Sequence, residues 1–334
     1  MTTPNLSRRA FARLAGSLAL VHAPIYGATS TAQDIAKLIQ TSLGGEWPEN
    51  GPDGFKAGKP ETEVKGIATT AMATVDVLRQ ANKAGLNMVI TLEPTFYGSR
   101  DGAAAPAFQG RGGAAGRGPG AAGEAGRGAA AGARGAAGAA AAGRGPGLAA
   151  APDDAQIEKR DFIDSNGMVV FRLRQHWQDR KEGEMLTGLA AALGWTAHRV
   201  PGDAPFYDIP SASLADTVAA VRKKLNLRGG LRSVGDPKSK VKRVALCPGS
   251  IPIDTMLKYF DDVDLLLAGE VREWECVPYA VDMNTAGIPK SLVTVGRTMS
   301  EDPGMNACAT WLKTVVKNIP VKWVAVSDPY WRAV

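Results

Sequence analysis

The sequence predicts an α/β protein, because short apolar runs typical of strands alternate with amphipathic helical segments to the end of the chain. The first such unit is the clearest. A β-branched run over 64–70 precedes a helical pattern over 74–84, and a second apolar run reaches Leu92. Gly85 provides the expected helix end. This β-α-β order predicts a parallel pair of strands.

The remaining elements continue the same alternation along the chain. Further helices are predicted over 35–43, 155–165, 183–193, 214–225, 253–260, 274–286 and 304–316. Further strands are predicted over 167–173, 196–200, 241–247, 263–267, 291–295 and 322–326. Pro278 falls inside one predicted helix and predicts a local irregularity there.

The first 32 residues have the pattern of an export signal. The stretch SRRAFAR at 7–13 carries paired arginines, and a modest apolar segment follows over 14–25. Ser30-Thr31-Ala32 suits a small-x-small cleavage site, so we expect Ala32 to be the last residue removed. A twin-arginine signal predicts a periplasmic or extracellular location. The alternative is a short surface segment with a chance arginine pair.

A low-complexity segment over 103–150 separates two parts of the predicted α/β region. It consists mainly of Gly, Ala and Arg, with almost nothing large to bury, and so predicts a disordered insertion. An arginine-glycine tether for RNA or an anionic surface is the functional alternative. Outside the N-terminus the sequence has no run of 18 or more apolar residues, so no membrane-spanning helix is predicted in the mature protein.

The formal net charge of +6 originates outside the predicted folded region. The signal contributes +3 and the insertion +4, which leaves about −1 for the rest of the chain. This balance argues against a nucleic-acid partner, which needs a basic surface. Of the three cysteines, Cys247 and Cys308 lie in apolar segments and are expected to be buried. No Cys-x-x-Cys pattern suggests a structural zinc site.

Polar residues follow four of the predicted strands, where a parallel sheet collects its ligands. They are Glu93 after the second strand, His176 and Asp179 after the third, Glu270 and Glu273 after a later strand, and Arg297 and Glu301 near the end. Carboxylates with one imidazole suit Mn, Zn, Fe or Mg.

Each of these residues also has a structural interpretation. Glu93 would be a loop acid, His176 a structural histidine, and the acids near 270–275 helix-start residues. Glu301 would be a capping-box partner of Thr298. No serine-hydrolase elbow, phosphate-binding loop or dinucleotide-binding fingerprint is present, and no catalytic residue is assigned.

Several segments resemble the Nif-three-like family, also described as dinuclear-metal-centre hexameric or type-two GTP cyclohydrolase-like proteins. EWPENG at 46–51 resembles an early family segment, and VITLEP at 89–94 stands where the family has Ile-x-His-His-Pro. The strand and turn over 241–250 is similar to the family's own, and GRTMSE at 296–301 matches Gly-His-x-x-x-Glu with arginine in place of histidine. The resemblance implies two packed α/β lobes with mixed and parallel sheets over 33–102 and 151–326.

The resemblance also implies a reduced metal site. The family holds two metals, whereas here Leu92 and Glu93 replace the paired histidines and Arg297 replaces the final histidine. Glu93, His176 and Glu301 are the implied ligands of one divalent ion, Zn, Mn, Fe or Mg, or of none. Glu270 and Glu273 are the implied supporting shell, and Asp179 is an alternative ligand.

Two functions follow from this resemblance. One is metal-activated hydrolysis of an unknown substrate by an exported hexamer. The other is a non-catalytic structural or binding oligomer in which Arg297 pairs with Glu93 or Glu301 and takes the place of the metal. Arginine has no lone pair to offer a metal at neutral pH.

Overall fold

A computed structural model describes residues 30–97, 154–180, 183–202 and 204–331. The predicted insertion over 103–150 lies outside the described residues, and so does nearly all of the predicted signal over 1–32. In the described part of the chain, no helix is long and apolar enough to cross a membrane.

The described residues form a mixed α/β structure with two five-stranded sheets, as predicted from the alternating pattern. The strands are β1 (Gly54–Ala57), β2 (Ile67–Thr70), β3 (Met88–Thr91), β4 (Val169–Arg172), β5 (Phe206–Ser213), β6 (Arg232–Val234), β7 (Lys240–Ile251), β8 (Leu265–Val271), β9 (Ser291–Thr294) and β10 (Val321–Trp323). The helices are α1 (Ala32–Leu43), α2 (Val75–Lys83), α3 (Asp154–Ser165), α4 (Gln175–Gln178), α5 (Glu184–Leu193), α6 (Leu214–Lys224), α7 (Ile253–Phe260), α8 (Glu273–Thr285) and α9 (Arg297–Val315).

The first sheet has the strand order β1-β4-β3-β2-β10, and the second has the order β5-β7-β8-β9-β6. Strands β4, β3, β2 and β10 run parallel, and β1 pairs antiparallel with β4 at the edge. In the second sheet β7, β8 and β9 are parallel, with β5 and β6 antiparallel at the two edges. The parallel pairing of β2 with β3 confirms the prediction from the first β-α-β unit.

Helix α9 contacts both sheets and therefore brings their strand ends together. The hydroxyl of Thr69 in β2 donates to the carbonyl of Met305, at 2.7 Å. On the other side, the backbone N–H of Gly249 donates to the hydroxyl of Ser300, at 2.9 Å. Both contacts are buried, so the first half of α9 is fixed between the two sheets.

Two predicted elements differ from the structure. Thr196–His198 forms a single 3-10 turn instead of a strand, and an isolated bridge pairs Arg199 with Tyr207. Helix α9 begins at Arg297, seven residues before the predicted start, because it accommodates Pro303 in its interior. Strands β1, β5 and β6 were not predicted. Each lies at a sheet edge, where pairing partners decide strand formation more than local sequence does.

The three cysteines are free and buried, as expected for Cys247 and Cys308. Burial raises the pKa of Cys247 to about 12, which keeps this thiol protonated at neutral pH.

Candidate functional site

Five charged side chains from strand ends and from α9 converge on one point between the sheets. Glu93 follows β3, Arg174 follows β4, Glu270 lies near the end of β8, and Arg297 and Glu301 occupy the first two turns of α9. We call this group the arginine–carboxylate cluster. It contains four of the seven residues that the sequence predicts for the site.

Arg297 is the centre of the cluster because its guanidinium faces three carboxylates. Its Nη2 lies 2.9 Å from Glu93 Oε1, and its Nε lies 3.4 Å from Glu301 Oε2. Its Nη1 lies 4.0 Å from Glu270 Oε1. Glu93 Oε1 also accepts a hydrogen bond from Arg174 Nη1, at 2.5 Å. Glu93 therefore bridges two arginines.

Glu301 is the most buried member of the cluster, with only 3% of its side chain exposed. Its Oε1 accepts a hydrogen bond from Gln178 Nε2, at 3.2 Å. Burial, followed by the negative charge of Glu93, raises the pKa of Glu301 to about 7, and the two arginines act in the opposite direction. The backbone approaches closely here: a Cβ on Gly249, whose φ is +84°, would lie 2.9 Å from Glu301 Oε1.

Arg297 stays protonated despite its partial burial. Burial acts to lower the pKa of Arg297, but the neighbouring charges of Glu93, Glu301 and Glu270 raise it above its usual value. The guanidinium is therefore a permanent cation among carboxylates.

His176 does not join Glu93 and Glu301, contrary to the prediction of a shared metal site. Its Nδ1 lies 2.7 Å from Asp53 Oδ2, and its Nε2 lies 3.1 Å from the carbonyl oxygen of Glu46. Its ring stacks on Trp47 with 3.7 Å between the ring centroids. Because both ring nitrogens have partners, His176 is a structural histidine that attaches α4 to the loop before β1.

Asp53 organises the start of α4 and was not identified from the sequence. Its carboxylate accepts from the backbone N–H groups of Arg174, Gln175 and His176, at 2.5, 3.0 and 3.0 Å. This turn carries Arg174 and Gln178, so Asp53 positions two members of the site indirectly. Asp53 is 123 residues from His176 in sequence, and no local pattern links them.

The two remaining predicted residues lie outside the cluster. Asp179 is exposed at the end of α4, where its backbone N–H donates to the carbonyl of Gln175, at 2.9 Å. Glu273 is exposed at the start of α8 and pairs with Arg232. Neither contributes to the arginine–carboxylate cluster, so the predicted supporting shell is reduced to Glu270.

The residues present do not fit the metal centre that the resemblance implies. Among the described residues, no group of three or more His, Cys, Asp or Glu side chains is arranged to hold a metal ion. A guanidinium that cannot ligate a metal occupies the position between Glu93 and Glu301. The alternative interpretation of the sequence was that Arg297 pairs with Glu93 or with Glu301. In the structure Arg297 pairs with both.

A cavity of about 630 Å³ lies beside the cluster and is bounded on one side by residues from 326 to 331. Glu270 and Arg297 line it, together with the exposed aromatic residues Tyr330 and Trp331. The segment over 324–331, which we call the C-terminal strap, continues from β10 in the first sheet toward the loop before β6 in the second.

Two buried aspartates hold the C-terminal strap. Asp302 accepts from the backbone N–H groups of Ala71 and Val326, at 2.8 and 3.1 Å. Asp328 Oδ2 accepts from the three consecutive N–H groups of residues 228–230, at 2.7, 3.0 and 3.1 Å. Burial opposes ionisation of Asp328, but these backbone donors and that of Tyr330 hold its pKa below the usual value. The wall of the cavity is therefore well anchored.

The fold and the cluster define a class of α/β protein with two sheets. Charged residues that follow strands of both sheets meet at the start of one helix, which contacts both sheets. Residues 189–329 match the family described as Duf34/NIF3 (NGG1p interacting factor 3), and the structural matches extend over nearly the whole chain. This match over 189–329, together with the shared fold, supports the Nif-three-like resemblance drawn from the motifs. No curated protein matches the sequence significantly.

Three solved structures illustrate the shared fold. Staphylococcus aureus protein SA1388 is 14% identical with a TM-score of 0.57, covering 92% of this chain and 100% of that chain. A Bacillus cereus protein related to NIF3 is 12% identical with a TM-score of 0.57, covering 91% and 99%. Reduced HcgD from Methanocaldococcus jannaschii is 12% identical with a TM-score of 0.50, covering 90% and 98%. At these identities the likeness supports the fold and not a shared activity.

Proposed function

We propose that this chain is an exported, metal-independent binding protein of the Duf34/NIF3 family, in which the guanidinium of Arg297 takes the place of a metal ion. The observation that carries the proposal is the position of Arg297, 2.9 Å from Glu93 and 3.4 Å from Glu301. A cation is needed between two carboxylates that are largely removed from water. Here the chain itself supplies that cation.

The metal-dependent hydrolase is the weaker candidate for this chain. Metal activation of water requires ligands with free lone pairs and an open coordination position. His176, the one nitrogen ligand predicted from the sequence, is bonded to Asp53 and Glu46 instead. Glu301 is buried and does not line the cavity, so it has no path to a substrate held there.

The metal content of the native protein tests this proposal. We expect metal far below one ion per chain in protein purified without chelators. We expect the same low content in the Glu93→Ala/Glu301→Ala variant, with Glu273→Ala as the matched control outside the cluster. Stoichiometric metal in the native protein that disappears in the double variant would overturn the proposal in favour of the hydrolase.

The setting of the protein is part of the same proposal. The paired arginines near the N-terminus support export to the periplasm or beyond, and the family resemblance supports a hexamer. Fractionation of cells that express the full chain tests the location, and light scattering of the mature protein tests the assembly. A cytoplasmic monomer would contradict both.

A further inference from the structure

We propose that the cavity beside the cluster binds a small organic cation, with the positive group against Glu270 and the apolar part against Tyr330 and Trp331. This inference rests on the proposed function, because a metal ion in the cluster would supply the positive charge that the ligand is proposed to bring.

With all three of its carboxylates ionised, the cluster is one positive charge short. Its three carboxylates, Glu93, Glu270 and Glu301, face two guanidinium groups, those of Arg174 and Arg297. Glu93 forms ion pairs with both arginines, and Glu301 forms an ion pair with Arg297. Glu270 has the longest of these contacts, 4.0 Å, so its charge is the least compensated.

Glu270 is also the carboxylate that a ligand can reach. Its side chain is 48% exposed, and it lines the cavity together with Arg297. The other cation of the cavity wall, Arg232, is paired with Glu273. Because Arg232 is paired with Glu273 and Arg297 with Glu93 and Glu301, the carboxylate of Glu270 is the charged group that a ligand in the cavity can pair with.

Two aromatic side chains, Tyr330 and Trp331, line the same cavity as Glu270. Tyr330 is 62% exposed and Trp331 is 72% exposed, which is unusual for residues whose backbone is so closely held. A Cβ on Gly229 would lie 2.7 Å from the backbone of Trp331, and Asp328 bonds to the same loop. In the part of the chain that the structure describes, the cation–aromatic contacts involve other rings.

Aromatic rings and a carboxylate in one cavity are the groups that recognise an ammonium group attached to an apolar body. The cavity of about 630 Å³ falls in the range of sites for small organic ligands. Met72 and Met299 add adaptable apolar surface to the lining. The ligand class is therefore an organic amine or quaternary ammonium compound.

Three probes of similar size and different charge test this inference. Phenethylammonium, 2-phenylethanol and 3-phenylpropionate are titrated separately into the full-length mature protein by calorimetry, in buffer with a chelator. We expect phenethylammonium to bind at least tenfold more tightly than the neutral alcohol, and the carboxylate to bind more weakly still. Equal binding of all three, or preferred binding of the carboxylate, would overturn the inference.

Variants locate the probe. Glu270→Gln should weaken phenethylammonium binding about tenfold, whereas Glu61→Gln, an exposed carboxylate that does not line the cavity, should leave it unchanged. Trp331→Ala should weaken binding severalfold without loss of folding, because its side chain is exposed. Equal effects of the two glutamate variants would also overturn the inference.

The two proposals fail in different ways. Stoichiometric metal in the native protein removes the proposed function. A metal-free protein that does not bind phenethylammonium removes only the organic-cation inference.

Discussion

Replacement of Arg297 by alanine tests the electrostatic account of the site most fully. The variant leaves Glu93 with Arg174, and it leaves Glu301 with the amide of Gln178 and the more distant charge of Arg174. Removing one partner of a buried ion pair costs about 3–5 kcal/mol, and an exposed pair contributes about 0.2–1 kcal/mol. Arg297 is 33% exposed and Glu301 is 3% exposed, so we expect a loss of roughly 1–3 kcal/mol in the free energy of unfolding at pH 8.

The loss should depend on pH because Glu301 can escape the unfavourable charge by binding a proton. The folded-state pKa of Glu301, about 7, is above its usual value. At pH values between these two pKa values, the folded protein therefore binds more protons than the unfolded chain. The free energy of unfolding therefore falls as pH rises through this window, and it falls more steeply without Arg297. At pH 5 we expect the cost of Arg297→Ala to be about half of its value at pH 8 or less.

Urea denaturation followed by circular dichroism at pH 5 and pH 8 measures this cost. Arg243→Ala is the matched control, because Arg243 makes a two-contact pair with Asp208 on the exposed surface. The double variant Arg297→Ala/Glu301→Gln should recover most of the lost stability at pH 8. The reasoning is refuted if Arg297→Ala costs no more than Arg243→Ala, or if its cost is the same at both pH values.

Three further predictions concern the supports of the site. Thr31→Ala should lower the free energy of unfolding by about 1 kcal/mol, because it removes the capping box at the start of α1. A chain that begins after Ala32 should lose at least as much. Equal stability of the two variants and the unaltered chain in thermal unfolding would contradict this prediction. Gly249→Ala should destabilise the fold by about 1–3 kcal/mol, because its Cβ would meet Glu301 and its φ is +84°. Partial rescue by Glu301→Ala is expected, and full stability of the single variant would be the contrary result. Burial raises the pKa of Asp302 to about 6, so its contribution to stability falls as pH rises from about 4 to 6; Asp302→Asn should remove that slope in a pH series of melting curves, and an unchanged slope would refute the assignment.

The sequence was sufficient to predict that Glu93, Arg297 and Glu301 lie together. Each follows a parallel strand, and the carboxyl ends of such strands share an edge of their sheet. The prediction succeeded although the strands belong to two sheets, because α9 contacts both. The early start of α9 was missed because Pro303 and Gly304 normally interrupt a helix.

The role of His176 was not predictable from its neighbours in the chain. Its position after a strand made it resemble a ligand, but its partners Asp53 and Trp47 come from a distant loop. A histidine's function depends on which atoms meet its two nitrogens. That information is tertiary, and the same holds for Asp302 and Asp328, whose roles depend on backbone N–H groups far away in sequence.

A crystal structure of the mature protein grown with Mn²⁺ would test the central claim most directly, because anomalous scattering locates the ion independently of the side chains. The account predicts no anomalous peak between Glu93 and Glu301, with the guanidinium of Arg297 in contact with both. A peak at that position, with Arg297 turned away from the two carboxylates, would contradict the account.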